Sequence, residues 1–409
     1  MNQSLATLSP HQVRITPAAP FTVATSGRSM GVRFSLPLHD ETTYTVRFSG
    51  VRGLGGGPDA TVTQTFRTPP IELYLLQRGS GGDTIVRTGV TGAAPVPVFR
   101  DPHIEDFRVT SSHLAVSVLD GSGHTHLLVT DLEGRHRREL KLPGTGTIAE
   151  LQSADRGELI GYTYTAANAG APGAIENALY TASVKDDAAD AAPTAVTIPG
   201  KDPRIADWHF VPDTDSILVL TFDGRMLLSG ASGKDAADLG TGVAIDGIAR
   251  GSSVAVLQRA DGMYTVDLTN GKQAALVPAT MSGRAVPGYI GVVTSLPGTK
   301  AGSVQQYAVI GSDGVSHGTT IYRVSDAGEA RPVMTVAGTD AVLETCASPS
   351  GRYAAVLVAP DVATNPYDGY QLPIPKQVVT HIVELSTGRE VGTLDGFDAS
   401  WCQVPPVAQ

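Results

Sequence analysis

The stretch Ile205-Ala206-Asp207-Trp208 decides the fold, because closely similar stretches recur along the chain. Each copy holds an apolar residue, an acidic residue one or two positions later, and an apolar or small residue that opens a run rich in Val and Leu. The other copies are Ile104-Glu105-Asp106-Phe107, Ile148-Ala149-Glu150-Leu151, Ile245-Asp246-Gly247 and Val342-Leu343-Glu344-Thr345. The first four copies lie 40 to 57 residues apart, and the last lies 97 residues after the fourth, about two such intervals. A period of roughly 40 to 60 residues indicates a repeat of several short strands.

This period is typical of the four-stranded blade of a β-propeller rather than of a helical repeat. The 46 Gly and 27 Pro residues agree with it, because turn residues at short intervals indicate many short strands. Residues 71–409 are therefore predicted to form a propeller of seven blades. Six or eight blades are the alternatives, because one unit has a weak inner strand. The complete units are predicted at 104–146, 147–203, 204–242, 243–281, 282–340 and 341–396.

The seventh unit is predicted to be split between the two ends of the propeller. Its inner strand comes from Phe397-Asp398-Ala399-Ser400-Trp401-Cys402 and its outer strands come from residues 71–103. Pairing between these segments would close the ring and remove exposed sheet edges. In the sixth unit, Ser348-Pro349-Ser350-Gly351-Arg352 resembles the Ser-Pro-Asp-Gly-Lys turn of TolB-like and WD40-like propellers. A propeller hosts enzymes as well as binding proteins, so this resemblance implies no activity.

Residues 1–70 have a different pattern and are predicted to form a separate domain. The motifs Leu36-Pro37-Leu38, Thr43-Tyr44-Thr45-Val46, the Gly-rich segment 49–56 and Phe66-Arg67-Thr68 resemble the last two-thirds of a bacterial Ig-like domain of the SbsA type. The resemblance implies a small β-sandwich on an envelope or secreted protein. The first strands of that family are missing, which implies truncation at the N-terminus and an incomplete sheet. A generic β-hairpin extension is the alternative.

Charge and hydropathy exclude some partners and bear on localisation. The 40 acidic and 30 basic side chains give a net charge of −10, which disfavours binding to nucleic acid. The strongest basic run, 135–138, follows an Asp-Leu-Glu-Gly segment and is predicted to be a hairpin turn. No segment approaches the ~20 apolar residues of a transmembrane helix. An extracellular or cell-envelope location, with targeting or anchoring upstream of this sequence, is preferred over the cytosol.

The acidic positions of the repeat are the main candidate binding site. Because innermost strands line the channel of a propeller, these side chains are predicted to form a ring near one mouth. Its members are Asp106, Glu150, Asp207, Asp246 and Glu344. Such a ring can bind a basic partner group or a divalent cation such as Ca²⁺, and no other cofactor is expected. The alternative is that each carboxylate accepts hydrogen bonds from nearby backbone.

Two other motifs are predicted not to carry chemistry. Gly314-Val315-Ser316-His317-Gly318 matches the hydrolase pattern Gly-x-Ser-x-Gly, but it lies between two strands instead of at a strand-to-helix turn. His124 and His126 share one face of a strand start, with Asp120 as the only nearby third ligand, and a solvated turn is expected there. The chain is therefore not expected to be an enzyme.

Three insertions are predicted to form the binding face of the propeller. They are assigned to the connections between second and third strands, at Ala166–Asn177, Leu296–Ser303 and Pro360–Lys376. Loops at that position emerge where inner strands begin, so they are expected on the same side as the acidic ring. The third insertion contains Tyr367, Asp368 and Tyr370, as recognition loops often do. Sequence drift in tolerated surface loops is the alternative.

The two cysteines occupy equivalent positions in the repeat. Glu344-Thr345-Cys346 aligns with Ser400-Trp401-Cys402, which places both thiols at one height on neighbouring inner strands. A Cys346–Cys402 disulfide is predicted, and it would brace the ring closure in an oxidising compartment.

These patterns predict a non-enzymatic envelope or secreted protein whose propeller binds a protein or glycan. The alternative is a lyase or hydrolase that uses Asp207, Glu150 or His209 at the channel mouth. A structural surface spacer is the third hypothesis. The oligomeric state is left open, with a monomer favoured.

Overall fold

The computed structural model describes residues 4–154, 158–188, 191–198 and 202–402. The chain divides into two compact units, Met1–Ile71 and Glu72–Gln409. Among the described residues, the only helical segments are the single 3₁₀ turns Pro10–Gln12 and Asp186–Ala188. The prediction of an all-β protein is confirmed.

The first unit consists of a three-stranded sheet and a hairpin that enclose one small core. In chain order its strands are β1 (Val13–Thr16), β2 (Phe21–Ser26), β3 (Ser29–Phe34), β4 (Thr43–Val51) and β5 (Ala60–Arg67). The sheet order is β1-β4-β5, and β2 pairs with β3. Alternate residues of β4, including Tyr44, Val46 and Phe48, are buried against the hairpin. Membership of the Ig-like family remains a prediction.

The second unit is a series of antiparallel sheets, each of which follows the chain from strand to strand. Among the described residues, one sheet has three strands and six have four. The three-stranded sheet contains β6 (Glu72–Gln77), β7 (Asp83–Gly89) and β8 (Val96–Asp101). The first two four-stranded sheets contain β9–β12 (Ile104–Val109, His113–Leu119, Thr125–Asp131, Arg138–Leu140) and β13–β16 (Gly146–Ser153, Leu159–Ala166, Ala178–Ser183, Thr194–Ala195). The next two contain β17–β20 (Ile205–Phe210, Ser216–Thr221, Arg225–Gly230, Ala237–Thr241) and β21–β24 (Ala244–Ile248, Val254–Arg259, Gly262–Asp267, Gln273–Ala275). After the hairpin β25–β26 (Thr280–Met281, Arg284–Ala285), the last two contain β27–β30 (Tyr289–Ser295, Ser303–Ile310, Ser316–Val324, Ala330–Val336) and β31–β34 (Ala341–Ala347, Tyr353–Ala359, Val379–Glu384, Arg389–Asp395).

Neighbouring sheets pack face to face, and a common channel is lined by the first strand of each four-stranded sheet and by residues 398–402. One core joins Leu127 and Val129 of the β9–β12 sheet to Ile148 and Tyr162 of the β13–β16 sheet. The next core joins Leu179 of the latter sheet to Trp208 of the β17–β20 sheet, where Gly161 leaves room for the indole ring. This arrangement of meander sheets around a channel is that of a β-propeller, as predicted.

A β-bulge explains the recurrent sequence motif. In five of the six four-stranded sheets the first strand changes register with its neighbour close to the motif's acidic residue, and β27, which has no acidic residue, changes register between Ile290 and Val293. In β17, for example, Ala206 is the extra residue between Ile205 and Asp207. Ile205 and Trp208 are three residues apart, a spacing that would place them on opposite faces of a regular strand. Both are buried in the same core because the extra residue of the bulge returns Trp208 to the face of Ile205.

The ends of the second unit pair with each other. Leu76 of β6 and Phe397 exchange two backbone hydrogen bonds of 2.9 Å, and the N–H of Ser400 donates to the carbonyl of Tyr74. A Cys346–Cys402 disulfide joins the C-terminal segment to β31, as the repeat alignment predicts. These contacts define a seam between the two ends, formed by β6, residues 397–402 and the disulfide.

One predicted loop position is wrong. Residues 296–302 join β27 to β28, the first and second strands of their sheet, and not the second and third. Because antiparallel strands alternate in direction, this loop lies on the face where inner strands end. Only the insertions within 167–177 and 360–378 lie on the face where inner strands begin, which is called the loop face below.

Candidate functional site at the central channel

The channel contains a cavity of about 480 Å³. Its wall begins near the bulge of each inner strand and continues toward the strand ends, where it includes His209, Arg250 and the Cys346–Cys402 disulfide. The cavity therefore extends away from the loop face. The carboxylates at the bulges lie at the end of the cavity nearer the loop face, and their joint use with the loops in binding stays a prediction.

Four of the five predicted ring residues line this cavity, together with one that the prediction omitted. The lining carboxylates are Glu150, Asp207, Asp246, Glu344 and Asp398. Asp106 is instead buried behind the wall, with 5% of its surface exposed. The omitted Asp398 follows Phe397 in the C-terminal inner strand, so the motif itself could have identified it. In the fifth complete unit the wall contains Val292, which leaves the ring of carboxylates open there.

Asp106, Asp398 and Glu344 form a buried acidic cluster next to the seam. The Asp106 carboxylate accepts the N–H of Phe107 at 2.7 Å and forms an ion pair with Arg108. Burial, opposed by Arg108 and reinforced by the charge of Asp398, raises the pKa of Asp106 to about 8. Burial also raises the pKa of Asp398, and burial with the charge of Asp398 raises that of Glu344 to about 7. Burial and the repulsion among these carboxylates therefore favour their protonated forms, whereas Arg108 opposes this.

Glu150, Asp207 and Asp246 form a second group on the opposite arc of the inner strands. Asp207 accepts the N–H of Ile245 at 2.9 Å, and its other oxygen lies 3.7 Å from Nε2 of His209. Asp246 accepts the N–H of Val293 at 3.4 Å, and burial raises its pKa to about 6. Desolvation by the channel wall and the charge of Asp207 raise the pKa of Glu150, although its side chain is exposed to the cavity. Asp207 and Asp246 thus fix neighbouring strands, as the alternative hypothesis proposed, whereas Glu150 has no such contact among the described residues.

A cation site requires ligands that converge more closely than these carboxylates do. In the described part of the chain, no three His, Cys, Asp or Glu side chains are grouped so that they could hold a metal ion. Binding of Ca²⁺ by the ring stays a prediction. His126 near the loop face contacts Asp120 at 3.3 Å and Glu139 at 2.7 Å, an ion-pair arrangement that raises the pKa of the imidazole.

The 360–378 insertion is fastened to the channel end at the loop face by Arg78. The guanidinium donates to Oδ2 of Asp368 at 2.8 Å and to the carbonyls of Leu372 and Glu105 at 3.0 and 2.9 Å. It also lies 3.7 Å from the centre of the Tyr370 ring. Sequence patterns alone gave no indication of this role for Arg78, since its partners are up to 294 residues away.

Two further carboxylates complete this attachment, which we call the Arg78 clasp (Arg78, Asp83, Glu105 and residues 368–372). Glu105 accepts the N–H groups of Gln371 and Leu372 at 3.0 and 2.8 Å. The Tyr370 hydroxyl donates to Asp83 at 2.8 Å. Asp368 and Tyr370, predicted as loop-face binding residues, are therefore engaged within the chain. Tyr367 alone of the predicted three is strongly exposed, at 59%.

The basic run at 135–138 is engaged within its own surroundings. Arg135 and His136 contact Asp131, and Arg137 contacts Asp101 at 3.2 Å. Arg138 donates to the carbonyl of Val184. These side chains thus satisfy local acidic and carbonyl groups. In the described residues no helix is long and apolar enough to cross a membrane.

Folding stability is expected to fall as the pH rises from near 4.5 to about 8. In that window the folded protein keeps protons on Glu150 and Glu344, whereas the unfolded chain loses them. Because the folded state binds more protons, each unit of pH lowers the free energy of unfolding. The melting temperature of Glu150→Gln/Glu344→Gln should therefore decline less steeply over this window than that of the wild type.

The control for this pH profile is Asp326→Asn, which alters an exposed carboxylate in the turn between β29 and β30. Its profile should parallel that of the wild type. Parallel profiles for the wild type and the Glu150/Glu344 double variant would show that these two carboxyl groups do not cause the pH dependence of stability.

Comparison with known proteins gives similarity of fold only. No protein-family model and no curated protein matches this sequence. A structure assigned as TolB from Agrobacterium tumefaciens is 15% identical, with 69% of this chain and 92% of that chain covered and a TM-score of 0.44. The β-propeller domain of Cps50 (Swd1) from Myceliophteria thermophila is 12% identical over 73% of this chain and 87% of that chain, with a TM-score of 0.44. A prolyl endopeptidase structure is 13% identical over 81% of this chain and 54% of that chain, with a TM-score of 0.46. At these scores the similarities carry no information on the activity of this chain.

Proposed function

We propose that this protein is a non-enzymatic binding scaffold of the cell envelope or the extracellular space. In this proposal an Ig-like module precedes a seven-bladed propeller, whose seventh blade is the split sheet at the seam. The loop face of the propeller binds a protein or glycan partner. The disulfide supports an oxidising compartment, because such bonds persist mainly outside the cytosol.

The observation that carries this proposal is the placement of the exposed aromatic side chains. Among the described residues, only Phe222, Tyr289 and Tyr367 are large aromatics with high exposure, at 49%, 72% and 59%. Phe222 lies between β18 and β19, Tyr289 begins β27, and Tyr367 lies between β32 and β33. All three positions are on the loop face. Exposed aromatics are enriched at protein interfaces, where they supply much of the binding energy.

Removal of these aromatics is expected to abolish partner binding without unfolding the protein. The variant Phe222→Ser/Tyr289→Ser/Tyr367→Ser should lose at least about tenfold in recovery of a specific partner, because hot-spot aromatics contribute about 2 kcal/mol or more each. The measurement is affinity capture from an envelope extract with quantitative mass spectrometry, together with a glycan array.

The matched control is Val96→Ser/Val277→Ser/Met281→Ser, which removes exposed apolar side chains away from the loop face. Counted from the inner strand at 397–402, the connection before Val96 joins the third and fourth strands of its blade. The segment around Val277 contacts the turn between β29 and β30, which also joins third and fourth strands, so both lie on the face opposite the loop face. This control should retain the partner. Equal recovery by the wild type and the aromatic variant would contradict the proposal, and loss in both variants would show a nonspecific effect.

An enzyme is the second candidate, because Glu150, Asp207 and His209 line one cavity. The raised pKa of Glu150 would suit a general acid near neutral pH. Turnover of a panel of lactones, esters and oligosaccharides that Glu150→Gln abolishes, and that the aromatic variant retains, would favour this candidate. A structural spacer, the third hypothesis, predicts neither binding nor turnover.

A further inference from the structure

The outer edge of β5 in the first unit differs from the other outer sheet edges of the molecule. β5 is eight residues long and contains neither Gly nor Pro, and within the described ranges it pairs with β4 alone. Its one charged residue is Arg67, at its end. An edge strand of this kind presents unpaired backbone N–H and C=O groups to any compatible strand.

The other outer strands carry features that prevent such pairing. In the second unit, β12, β16 and β24 have only two or three residues, and β20 has five. The longer strands β8 and β30 contain Pro97 and Pro332, and β34 contains Gly392 and several charges. In the first unit, β1 has four residues and is followed by Pro17, and β3 contains Gly31 and Arg33. The edge of β2 lies beside residues 5–8, where the N–H of Leu8 donates to Oγ1 of Thr25 at 3.2 Å and the N–H of Leu5 donates to the carbonyl of Gly27 at 2.8 Å. These are recognised means of blocking edge-to-edge association, and β5 lacks them.

The core-facing side chains of β5 are incompletely covered. Val62 and Phe66 pack on the core of the first unit beside Phe48 and Tyr44, but each is only partly buried. Gln64 lies between them on the same face and is exposed. A strand added beside β5 would cover these residues and extend the sheet.

We propose that β5 pairs with β5 of a second copy of this chain, in antiparallel register about Gln64. This register sets Val62 opposite Phe66 of the second copy and Thr63 opposite Thr65. Aromatic with β-branched pairs and Thr with Thr pairs are favourable across antiparallel strands. Thr61 is opposite Arg67, so no like charges meet. The strand is therefore complementary to itself, and the two sheets form one six-stranded sheet across a two-fold axis.

The test is the mass of the full-length protein, measured by sedimentation velocity over a concentration series. The wild type should shift from monomer to dimer as the concentration rises. Gln64→Lys and Gln64→Glu should each lose the dimer, because the two-fold axis sets each new charge opposite its own copy. An equimolar mixture of the two variants should regain the dimer, since Lys then faces Glu.

Ala24→Lys is the matched control, because Ala24 is an exposed strand residue of the same unit but lies on β2. It should dimerise as the wild type does. A second measurement is oxidation of Gln64→Cys, which should yield a cross-linked dimer that Ala24→Cys does not. A wild type that remains monomeric throughout, charged variants that still dimerise, or a mixture that stays monomeric would each overturn the proposal. None of these experiments depends on the loop face.

Discussion

Arg78→Met is expected to lower the free energy of unfolding by about 3–5 kcal/mol, the range for breaking a buried ion pair. The Arg78 side chain is 8% exposed, and that of its partner Asp368 is 11% exposed. Methionine keeps the apolar stem but leaves the Asp368 carboxylate and three backbone carbonyls, those of Ile104, Glu105 and Leu372, without this donor. A buried group that loses its partner retains the full cost of desolvation.

Arg78→Met should also loosen the 360–378 insertion locally, in addition to lowering the stability of the whole fold. Without Arg78, the segment around Tyr370 loses its stacking partner and part of its hydrogen bonding. Amide exchange at Gln371 and Leu372 should therefore accelerate, and limited proteolysis should cut near Tyr367. Denaturant unfolding monitored by fluorescence gives the global value, and hydrogen exchange gives the local one.

Arg67→Met is the matched control, because Arg67 pairs with Glu41 at 3.5 Å on the surface, where both side chains are more than half exposed. Exposed pairs contribute about 0–1 kcal/mol, so this variant should be nearly as stable as the wild type. A loss of similar size in both variants would show that the Arg78 clasp has no special role.

Cys402→Ser is expected to destabilise the propeller by about 2–4 kcal/mol. The bond links residues 56 positions apart, so its loss restores considerable freedom to the unfolded chain. It also releases the C-terminal inner strand from β31 and leaves the backbone pairing with β6 to close the ring. Thermal unfolding should show a lower midpoint, with the change confined to the second unit.

Reduction provides the control for this prediction. A reducing agent should lower the stability of the wild type to that of Cys402→Ser and should not change the Cys346→Ser/Cys402→Ser variant. Two free thiols in the unreduced protein, detected by mass spectrometry, would contradict both the bond and the proposed location.

The sequence predicted the features that repeat, including the pairing of the two ends, and missed contacts between single residues that are distant along the chain. The recurrent motif was sufficient for the all-β propeller and for aligning Cys346 with Cys402. It could not reveal that Arg78 meets Asp368, because no local pattern links residues 290 positions apart. The same limitation led to Tyr370 being assigned to a binding surface. The position of residues 296–302 was missed because a strand boundary, rather than a repeat, decides it.

The bulge of the inner strands sets how this repeat can change over time. Trp208 and Ile205 share one core only because a single extra residue separates the two halves of β17. Loss of that one residue would turn the second half of the strand over, which would carry the indole from the interior to the opposite side. Substitutions at the bulge leave the length of the strand unaltered and keep each side chain on its present face. The repeat can therefore diversify its channel-facing chemistry by exchange of side chains, whereas insertions and deletions are confined to the loops.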